Sequence, residues 1–414
     1  MLRRAARGIA AARVWSGPVL LGPAFVAAIA YVDPGNVATN VAAGAGYGYL
    51  LVWVIVVANL AAGLVQYLSA KLGLVTGQSL PEAVRDRMPR PARLAYWLQA
   101  EAVAGATDVA EVIGGAVALN LLYDLPLAIG GAITGCASMV LLAVQDRRGQ
   151  APFERVVTGL LLVIAVGFCA SLLVSPPSMG GMVAGLVPRF DGAASVLLAA
   201  GMLGATVMPH AVYLHSALAR DRHGRPGPDR LGRILGATRV DVGLAMLLAG
   251  GVNLALLVGA ASLFSGAPGV STLAGAYAGV QQAVGAGVAT LFAIGLLASG
   301  LASTSVGCYA GAVIMAGLLR VRVPLLVRRL VTLVPALGLL VLGVEPTKAL
   351  VLSQVVLSFG VPFALAPLVA LTARRSVMGS HVNQPLTTAL AAVATGGIVL
   401  LNAGLIAVTL ADAF

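Results

Sequence analysis

The sequence predicts an all-α membrane protein with eleven transmembrane helices, arranged as two inverted repeats of five helices plus one extra helix. Three observations lead to this fold class. Hydrophobic residues make up 59% of the 414 residues and charged residues only 10%, whereas soluble domains carry about 25% charged residues. Apolar stretches long enough to cross a bilayer recur along the chain. Helix-breaking residues interrupt the first and the sixth of these stretches.

Each predicted span is an apolar stretch of about 20 residues or more, the length that crosses the hydrocarbon core of a bilayer. We predict one transmembrane domain over residues 1–414, with the first repeat at about 18–175, the second at about 193–372 and the extra helix at about 385–411. The predicted spans are 18–44, 49–72, 96–122, 126–145, 156–175, 193–219, 239–264, 284–318, 325–344, 348–372 and 385–411.

The basic residues test this number of spans and predict the orientation of the chain. Cytoplasmic connections of membrane proteins carry an excess of Lys and Arg. With the N-terminus in the cytoplasm, all of the 26 basic residues except Arg189 and Lys348 fall on the cytoplasmic side. One missed or extra helix would reverse the pattern from that point on. The sequence therefore predicts a multi-pass protein of the cell membrane with a cytoplasmic N-terminus and an extracytoplasmic C-terminus.

Composition also bears on partners and cofactors. The net charge of +11 does not indicate nucleic acid, because the basic residues are confined to short connections such as the stretch 220–233, which reads as a solvated basic loop. Cys136, Cys169 and Cys308 lie inside apolar runs without ligand-like spacing, so we predict that they are small buried residues rather than metal ligands or a disulfide.

The first apolar stretch is too long for a signal sequence and is expected to be retained. No nucleophile–base pair or cofactor loop is evident, so neither an enzyme nor a bound cofactor is predicted. The lipid bilayer is an expected partner, and no obligate protein partner is evident.

The first span carries polar and helix-breaking residues where a membrane helix is usually apolar. It contains the run Asp33-Pro34-Gly35-Asn36 near its middle. Proline removes a helical hydrogen bond and glycine lowers helix propensity, so the backbone is expected to unwind here. Unwound backbone within a membrane is tolerated only where protein buries it or where it lines a cavity. Asp33 is therefore expected to face a partner or a binding site.

The sixth span also carries helix-breaking and polar residues near its middle, in the run Met208-Pro209-His210. Proline kinks are common in helices without a transport role, and a lone intramembrane Asp can pair structurally with an Arg. Two breaks at matching positions of two five-helix units favour a binding site at the bilayer midplane. The halves share no clear residue identity, so the repeat is inferred from the positions of the breaks.

The residues at the two breaks predict a site for a divalent transition metal. Asp33 and Asn36 supply hard oxygen ligands, and the unwound carbonyls of Ala30 and Ala205 supply more. Met208 supplies a thioether sulfur, which suits Mn, Fe, Co or Cd better than Mg or Ca. Methionine alone is more often a gap filler in a core, but the position of Met208 directly before the break favours a ligand.

Ionisable residues in other spans predict a buried ionic network or a proton route. Asp108 and Glu111 are three residues apart, so they share one face of the third helix. Arg328 and Arg329 lie at the cytoplasmic end of the ninth span, where a structural salt bridge or a pair of arginines reaching to the interface is an equally good interpretation. Histidine is the side chain that titrates nearest to physiological pH, and His210 follows the second break directly, so His210 is a candidate proton-linked residue.

These motifs resemble the Nramp family (natural resistance-associated macrophage proteins), whose bacterial members are manganese transporters. The resemblance runs from about Gly22 to Phe363. The motifs that carry it are Asp33-Pro34-Gly35-Asn36 with Ala38-Thr39-Asn40, Ser69-Ala70-Lys71-Leu72-Gly73, Ala106-Thr107-Asp108-Val109-Ala110-Glu111-Val112-Ile113-Gly114, Met208-Pro209-His210 with Tyr213-Leu214-His215-Ser216, and Ser353-Gln354-Val355-Val356-Leu357-Ser358-Phe359.

The resemblance implies a LeuT-like fold and proton-coupled import of Mn²⁺, with Fe²⁺, Co²⁺ and Cd²⁺ as further substrates, by alternating access. It implies metal ligation by Asp33, Asn36, Met208 and the carbonyls of Ala30 and Ala205, with Gln354 approaching the metal in some states. The implied proton route runs from Asp33 through His210, Glu111 and Asp108 toward Arg328 and Arg329. The residues expected to line the pathway or its gate are Gln66, Thr107, His215 and Asn253.

The sequence departs from the family pattern at four positions. Ala42, Leu301, Ala312 and Ala316 stand where family members often carry polar or acidic residues, and this puts kinetics, gating or finer metal preference in doubt. Magnesium-transporting relatives lack the site methionine, which Met208 retains here.

Two other functions remain open from the sequence. One is a non-transporting membrane sensor of the same family, for which we expect an attached signalling domain, and none follows the last predicted span. The other is a sodium-coupled amino-acid symporter of the same fold, which fits Asp33 and Met208 less well.

Overall fold

The computed structural model describes residues 22–411, except for residues 149, 225 and 265–271. Secondary structure in these residues is helical, without strands. Eight helices within the described residues are long and apolar enough to cross a membrane, and two shorter apolar helices, Pro23–Val32 and Leu127–Ala143, occupy the first and fourth predicted spans. The all-α membrane class is confirmed, whereas the number of eleven spans stays a prediction. Residues 18–21 of the first predicted span and the arginines before them lie outside the described residues.

Seventeen α-helices follow one another in the described residues. They are α1 (Pro23–Ile29), α2 (Pro34–Tyr47), α3 (Val52–Thr76), α4 (Leu80–Arg85), α5 (Arg90–Tyr123), α6 (Leu127–Arg148), α7 (Gln150–Val174), α8 (Met179–Ala184), α9 (Gly192–Thr206), α10 (Pro209–His223), α11 (Pro228–Phe264), α12 (Leu273–Ala283), α13 (Ala286–Leu319), α14 (Leu325–Val341), α15 (Pro346–Thr372), α16 (Arg375–Met378) and α17 (Pro385–Ala411). Two 3₁₀ turns occupy Ala30–Val32 and Gly379–His381.

The predicted basic loop at 220–233 is wrong for most of its length. Helix α10 continues through the arginines to His223, and α11 begins at Pro228. Arginine is a good helix former, basic side chains stabilise the last turn of a helix, and proline is favoured in its first turn. Two ion pairs also hold this stretch, Arg220 with Glu82 and Arg222 with Glu154. Only a short connection, which includes the undescribed residue 225, separates the two helices.

The three cysteines are free. Cys308 is buried and Cys169 half-buried, but Cys136 is exposed, so the prediction of burial is wrong for Cys136. An apolar run in a membrane protein does not imply contact with protein, because the lipid tails are themselves apolar.

Contacts between connections fit the predicted alternation of the chain across the membrane. On the side predicted to be extracytoplasmic, the Trp53 N–H donates to the Gly185 carbonyl at 2.9 Å, which joins the start of α3 to the connection before α9. The Leu273 N–H donates to Thr347 Oγ1 at 3.2 Å, which joins the first turns of α12 and α15.

The opposite side is joined in the same way. Lys71 Nζ donates to Asn383 Oδ1 at 2.8 Å, which ties the end of α3 to the connection before α17. The ion pairs of Arg220 and Arg222 join α10 to α4 and α7. Helix ends and connections of one predicted side therefore contact each other.

Close packing of α9 against α15 depends on Gly204. A methyl group at this position would lie 2.1 Å from the Gln354 carbonyl oxygen and 2.7 Å from the Ser358 nitrogen. Both are backbone atoms, which cannot move aside without shifting a helix.

We therefore expect Gly204→Ala to destabilise the protein by about 1–3 kcal/mol or more, because overpacking forces backbone shifts. Thermal unfolding of the purified protein in detergent measures the effect. Gly396→Ala is the matched control, since a methyl group there meets nothing within 4 Å. Equal thermal midpoints for the two variants would contradict this account of the α9–α15 packing.

Candidate metal-binding site

The first helix break lies at Asp33, as the sequence predicts. Helix α1 ends at Ile29, a 3₁₀ turn covers Ala30–Val32, and Asp33 is extended with φ −70° and ψ 168°. Pro34 then begins α2. The residue before a proline is disfavoured in helical conformation, which places the break one residue before Pro34.

The second break lies at Val207 and Met208. These residues have φ/ψ values of −105°/69° and −73°/121°, and Pro209 begins α10. Proline alone does not account for a break, because Pro335 and Pro362 lie inside continuous helices. The prediction of interrupted first and sixth helices is confirmed.

Three oxygen atoms from the two breaks converge on one point. The side-chain nitrogen Nδ2 of Asn36 donates to Ala205 O at 2.8 Å, Asp33 Oδ1 at 2.9 Å and Ala30 O at 3.5 Å. Asp33 Oδ1 also accepts from the Asn36 backbone N–H at 2.7 Å and so caps α2. A carboxylate and two carbonyls thus surround a single positively polarised group, as they would surround a small cation.

Gln354 reaches this point from α15. Its Nε2 donates to Asp33 Oδ2 at 3.3 Å. Gly35 makes the approach possible, since a methyl group on it would lie 1.7 Å from that nitrogen. The structure therefore brings Gln354 to the carboxylate of Asp33.

Two buried oxygen atoms at the site lack hydrogen-bond partners among the described residues. They are Asn36 Oδ1 and Gln354 Oε1, both on side chains with 0% exposure. A buried acceptor without a partner costs about 1–3 kcal/mol. Met208 is also fully buried and is the last residue before α10. Unpaired amide oxygens beside a carboxylate, with a thioether on the second break, fit a metal cation.

Only one of the candidate metal ligands carries a charge. Within the described ranges, no group of three or more His, Cys, Asp or Glu side chains could hold a metal. The site combines one carboxylate with amides, carbonyls and a thioether. Such a set is suited to an ion that binds and leaves again, because conduction requires binding that is not too strong.

Two carbonyls of the first break that are not directed at the site are bonded elsewhere. Asn253 Nδ2 donates to Tyr31 O at 2.6 Å, and Asn40 Nδ2 donates to Asn253 Oδ1 at 2.9 Å. Ser299 Oγ donates to Val32 O at 2.6 Å. These bonds meet the requirement that buried backbone groups be paired.

Three of the predicted pathway residues belong to one chain of hydrogen bonds that includes Tyr31. Gln66 Nε2 donates to the Tyr31 hydroxyl, and His215 Nδ1 donates to Gln66 Oε1 at 2.6 Å. Asn253 binds the carbonyl of the same tyrosine. Thr107, by contrast, bonds Val103 O one turn away in its own helix and does not join this chain of bonds.

The predicted ionic network forms partly in the expected way. A methyl group on Gly307 of α13 would lie 3.0 Å from Glu111 Oε2 and 3.2 Å from Asp108 Oδ1, so both carboxylates crowd against this glycine. Arg329 Nη1 lies 4.0 Å from Asp108 Oδ1, and its Nε donates to Ser138 Oγ at 2.8 Å. Arg329 is completely buried.

Arg328 has a different partner from the one expected. Its Nη1 lies 2.6 Å from Glu101 Oε1, and Gly311 makes room for the guanidinium, since a methyl group on it would lie 2.0 Å from Nη2. Arg328 and Arg329 thus contact different carboxylates of the same helix, α5.

His210 is buried at the start of α10. Neither ring nitrogen has a hydrogen-bond partner among the described residues, so no direct bond joins it to Asp33 or Glu111. The proton route through His210 stays a prediction.

Sequence reasoning missed Tyr31, Ser138 and Glu101. Glu101 could have been predicted as part of the ionic network, because it precedes Asp108 by seven residues and so lies on the same helix face. Tyr31 lies within the first break, but its roles in two separate bonds depend on helices distant in sequence. Nothing in the sequence distinguishes Ser138 from other small polar residues of the spans.

Comparison with known proteins identifies relatives along most of the chain. The family model "Natural resistance-associated macrophage protein-like" (Nramp) matches residues 24–408. A protein of Mycobacterium tuberculosis named divalent metal cation transporter MntH is 64% identical over 392 residues, which cover 94% of this chain and 91% of the relative. The MntH protein of Klebsiella pneumoniae is 48% identical over 367 residues, 88% of each chain.

Solved structures resemble the fold as well. A crystal structure of the manganese transporter of Eremococcus coleocola has a TM-score of 0.83 and 32% identity, covering 93% of this chain and 86% of that chain. MhsT in complex with L-phenylalanine has a TM-score of 0.63 at 14% identity, covering 94% and 97%, and this similarity concerns the fold alone. The predicted LeuT-like fold is confirmed, and the named relatives are transporters rather than enzymes.

Proposed function

Since the chain belongs to the Nramp family, we propose that it transports divalent metal cations across the cell membrane and binds them between its two helix breaks. The observation that carries this proposal is the convergence of Asp33, Ala30 and Ala205 oxygens on one buried point. The 64% identical relative is named for the same activity.

The proposed substrates are Mn²⁺ and, with it, Fe²⁺, Co²⁺ and Cd²⁺. A thioether beside oxygen ligands favours these ions over Mg²⁺ and Ca²⁺, which prefer oxygen alone. Met208 is therefore the proposed selectivity residue. The Eremococcus coleocola neighbour is a manganese transporter by name.

Binding is proposed to begin with rotation of the Asn36 amide. In the described conformation, Nδ2 occupies the point that the oxygens surround, and Oδ1 is unpaired. A half-turn of the amide withdraws the N–H groups and presents Oδ1 to an incoming ion. The carboxylate of Asp33 supplies the negative charge, and the Gln354 amide can present its unpaired Oε1 in the same way.

Transport is proposed to follow by alternating access, with the metal imported from an extracytoplasmic to a cytoplasmic opening. The unwound segments at Asp33 and Met208 are the points where half-helices can turn without breaking helical hydrogen bonds. The N-terminus is proposed to be cytoplasmic, on the basis of the distribution of basic residues.

Proton coupling is the further part of the proposal, with Glu111 and Asp108 as the acidic groups of the route. We expect Glu111→Gln to abolish the increase of Mn²⁺ uptake at acidic external pH while leaving Mn²⁺ binding within about threefold, since Glu111 lies outside the oxygen cluster. Asp191→Asn, which changes an exposed carboxylate before α9, is the matched control. Uptake by Glu111→Gln that keeps the wild-type response to pH would exclude this route.

Uptake of Mn²⁺ into proteoliposomes tests the proposed function. We expect saturable uptake into vesicles that contain the wild-type chain, and none into empty vesicles. Absence of uptake of every divalent metal by folded protein would favour the non-transporting sensor instead.

A further inference from the structure

A cavity lies away from the metal-binding site, on the side predicted to be cytoplasmic. It has a volume of about 340 Å³ and opens between α4, the end of α10 and the end of α13. Its lining includes one carboxylate and four guanidinium groups, from Glu82, Arg85, Arg220, Arg320 and Arg322. The small residues Ala316 and Gly317 also line it.

Two of the four arginines are already paired. Arg220 contacts Glu82 and lies 2.7 Å from Asp221. Arg85 lies 3.0 Å from Asp86, and its Nη1 donates to the Gly317 carbonyl at 3.0 Å. These bonds fix the two guanidinium groups at the wall of the cavity.

The other two arginines are not paired in this way. Arg320 and Arg322 are exposed, and neither has a carboxylate within 4.0 Å in the part of the chain that the structure describes. Arg320 ends α13 with φ 60°, a conformation uncommon for residues other than glycine. The chain therefore places a guanidinium at the cavity mouth at a position where glycine would be less strained.

We propose that this cavity binds a phosphate-bearing anion. Planar guanidinium groups bind phosphate oxygens in pairs, and arginine is the residue that suits such recognition. The positive-inside rule accounts for arginines spread over cytoplasmic connections. It does not account for four of them, from three connections, around one cavity. The cavity is also larger than inorganic phosphate requires, so the phosphate can carry an organic substituent.

Such an anion would bridge parts of the molecule that have to move relative to one another. Helix α10 is the second half of the interrupted sixth helix, and it is joined to α4 by the Arg220–Glu82 pair and by Leu80 N–H donating to Ser216 Oγ at 2.8 Å. Arg320 lies on α13. A phosphate between Arg220 and Arg320 holds α10 against α13 and so slows the motion of α10 during transport.

The phosphate group has two possible sources, a soluble phosphate compound or a phospholipid headgroup at the membrane surface. Thermal unfolding of the full chain in neutral detergent tests the soluble source, with inorganic phosphate titrated against chloride at constant ionic strength. Vesicles of phosphatidylcholine with and without phosphatidic acid test the lipid source through the rate of Mn²⁺ uptake. The thermal-unfolding experiment does not depend on transport, so it tests phosphate binding even if the proposed transport function is wrong.

The variants are Arg322→Ala and Arg320→Gly, the second of which also relieves the positive φ. Arg375→Ala removes one exposed charge outside the cavity and is the matched control. We expect phosphate to raise the thermal midpoint of the wild type. Each cavity variant is expected to need an about tenfold higher phosphate concentration for the same stabilisation, as loss of a charge-assisted hydrogen bond predicts.

Each outcome decides the proposal. Stabilisation by phosphate that the cavity variants weaken supports a soluble ligand, and slower uptake with phosphatidic acid that the same variants reverse supports a headgroup. No effect of phosphate or phosphatidic acid on the wild type overturns the proposal. An equal loss in Arg375→Ala also overturns it, because the effect would then reflect net charge alone.

Discussion

Replacing Asp33 with asparagine is expected to weaken Mn²⁺ binding at least about 100-fold while leaving the protein folded. Asp33 is fully buried, and its two oxygens contact Asn36 and Gln354. It is the carboxylate at the point where the two breaks meet. Removing one partner of a buried ionic interaction costs about 3–5 kcal/mol, and 1.4 kcal/mol corresponds to a tenfold change in affinity. Asparagine keeps the size of the side chain and an oxygen that can cap α2.

Isothermal titration of Mn²⁺ into purified protein in detergent measures this effect, and thermal unfolding without metal checks the fold. Asp124→Asn is the matched control. Asp124 is exposed at the end of α5 with φ 54°, a conformation that asparagine tolerates. An Asp33→Asn protein that binds Mn²⁺ within threefold of the wild type would place the metal elsewhere.

Replacing Met208 with alanine is expected to alter which metals bind more than how tightly Mn²⁺ binds. Loss of the sulfur leaves only oxygen ligands, which Mg²⁺ and Ca²⁺ also accept. We expect Cd²⁺, the softest of the proposed substrates, to lose about 100-fold in affinity and Mn²⁺ about tenfold, with Mg²⁺ becoming an effective competitor of Mn²⁺ uptake.

Competition of Mg²⁺ and Cd²⁺ against Mn²⁺ uptake in proteoliposomes measures this selectivity. A buried methionine changed to alanine also leaves a cavity that costs about 2–5 kcal/mol of stability. Met246→Ala, at a buried methionine of α11, controls for that loss. Equal Mg²⁺ competition in wild type and Met208→Ala would show that the Met208 sulfur does not determine selectivity.

The two helix breaks were predictable from sequence because their cause is local. Pro34 and Pro209 each disfavour a helical conformation in the residue before them, and a carboxylate in an apolar span requires a partner. The ligand candidates Asp33, Asn36, Ala30 and Ala205 then follow from their positions at the breaks. The inference needs no knowledge of how the helices pack.

The contacts between distant helices were not predictable in the same way. The approach of Gln354 to Asp33 depends on the missing side chain of Gly35, and the sequence reached Gln354 only through a family resemblance. The pairing of Arg328 with Glu101 depends on how α14 and α5 pack. The ion pair of Arg220 in α10 with Glu82 joins two connections that are distant in sequence. Each of these is a property of tertiary packing, which periodicity and local propensity do not encode.

The position of the bound metal tests the central claim most directly. Crystals grown with Mn²⁺ and measured near its absorption edge give an anomalous difference map that locates the ion. The account predicts one peak at about 2.0–2.6 Å from oxygens of Asp33, Asn36 and Ala205, with Met208 as the sulfur neighbour. A peak between Asp108 and Glu111, with none at the helix breaks, would contradict it.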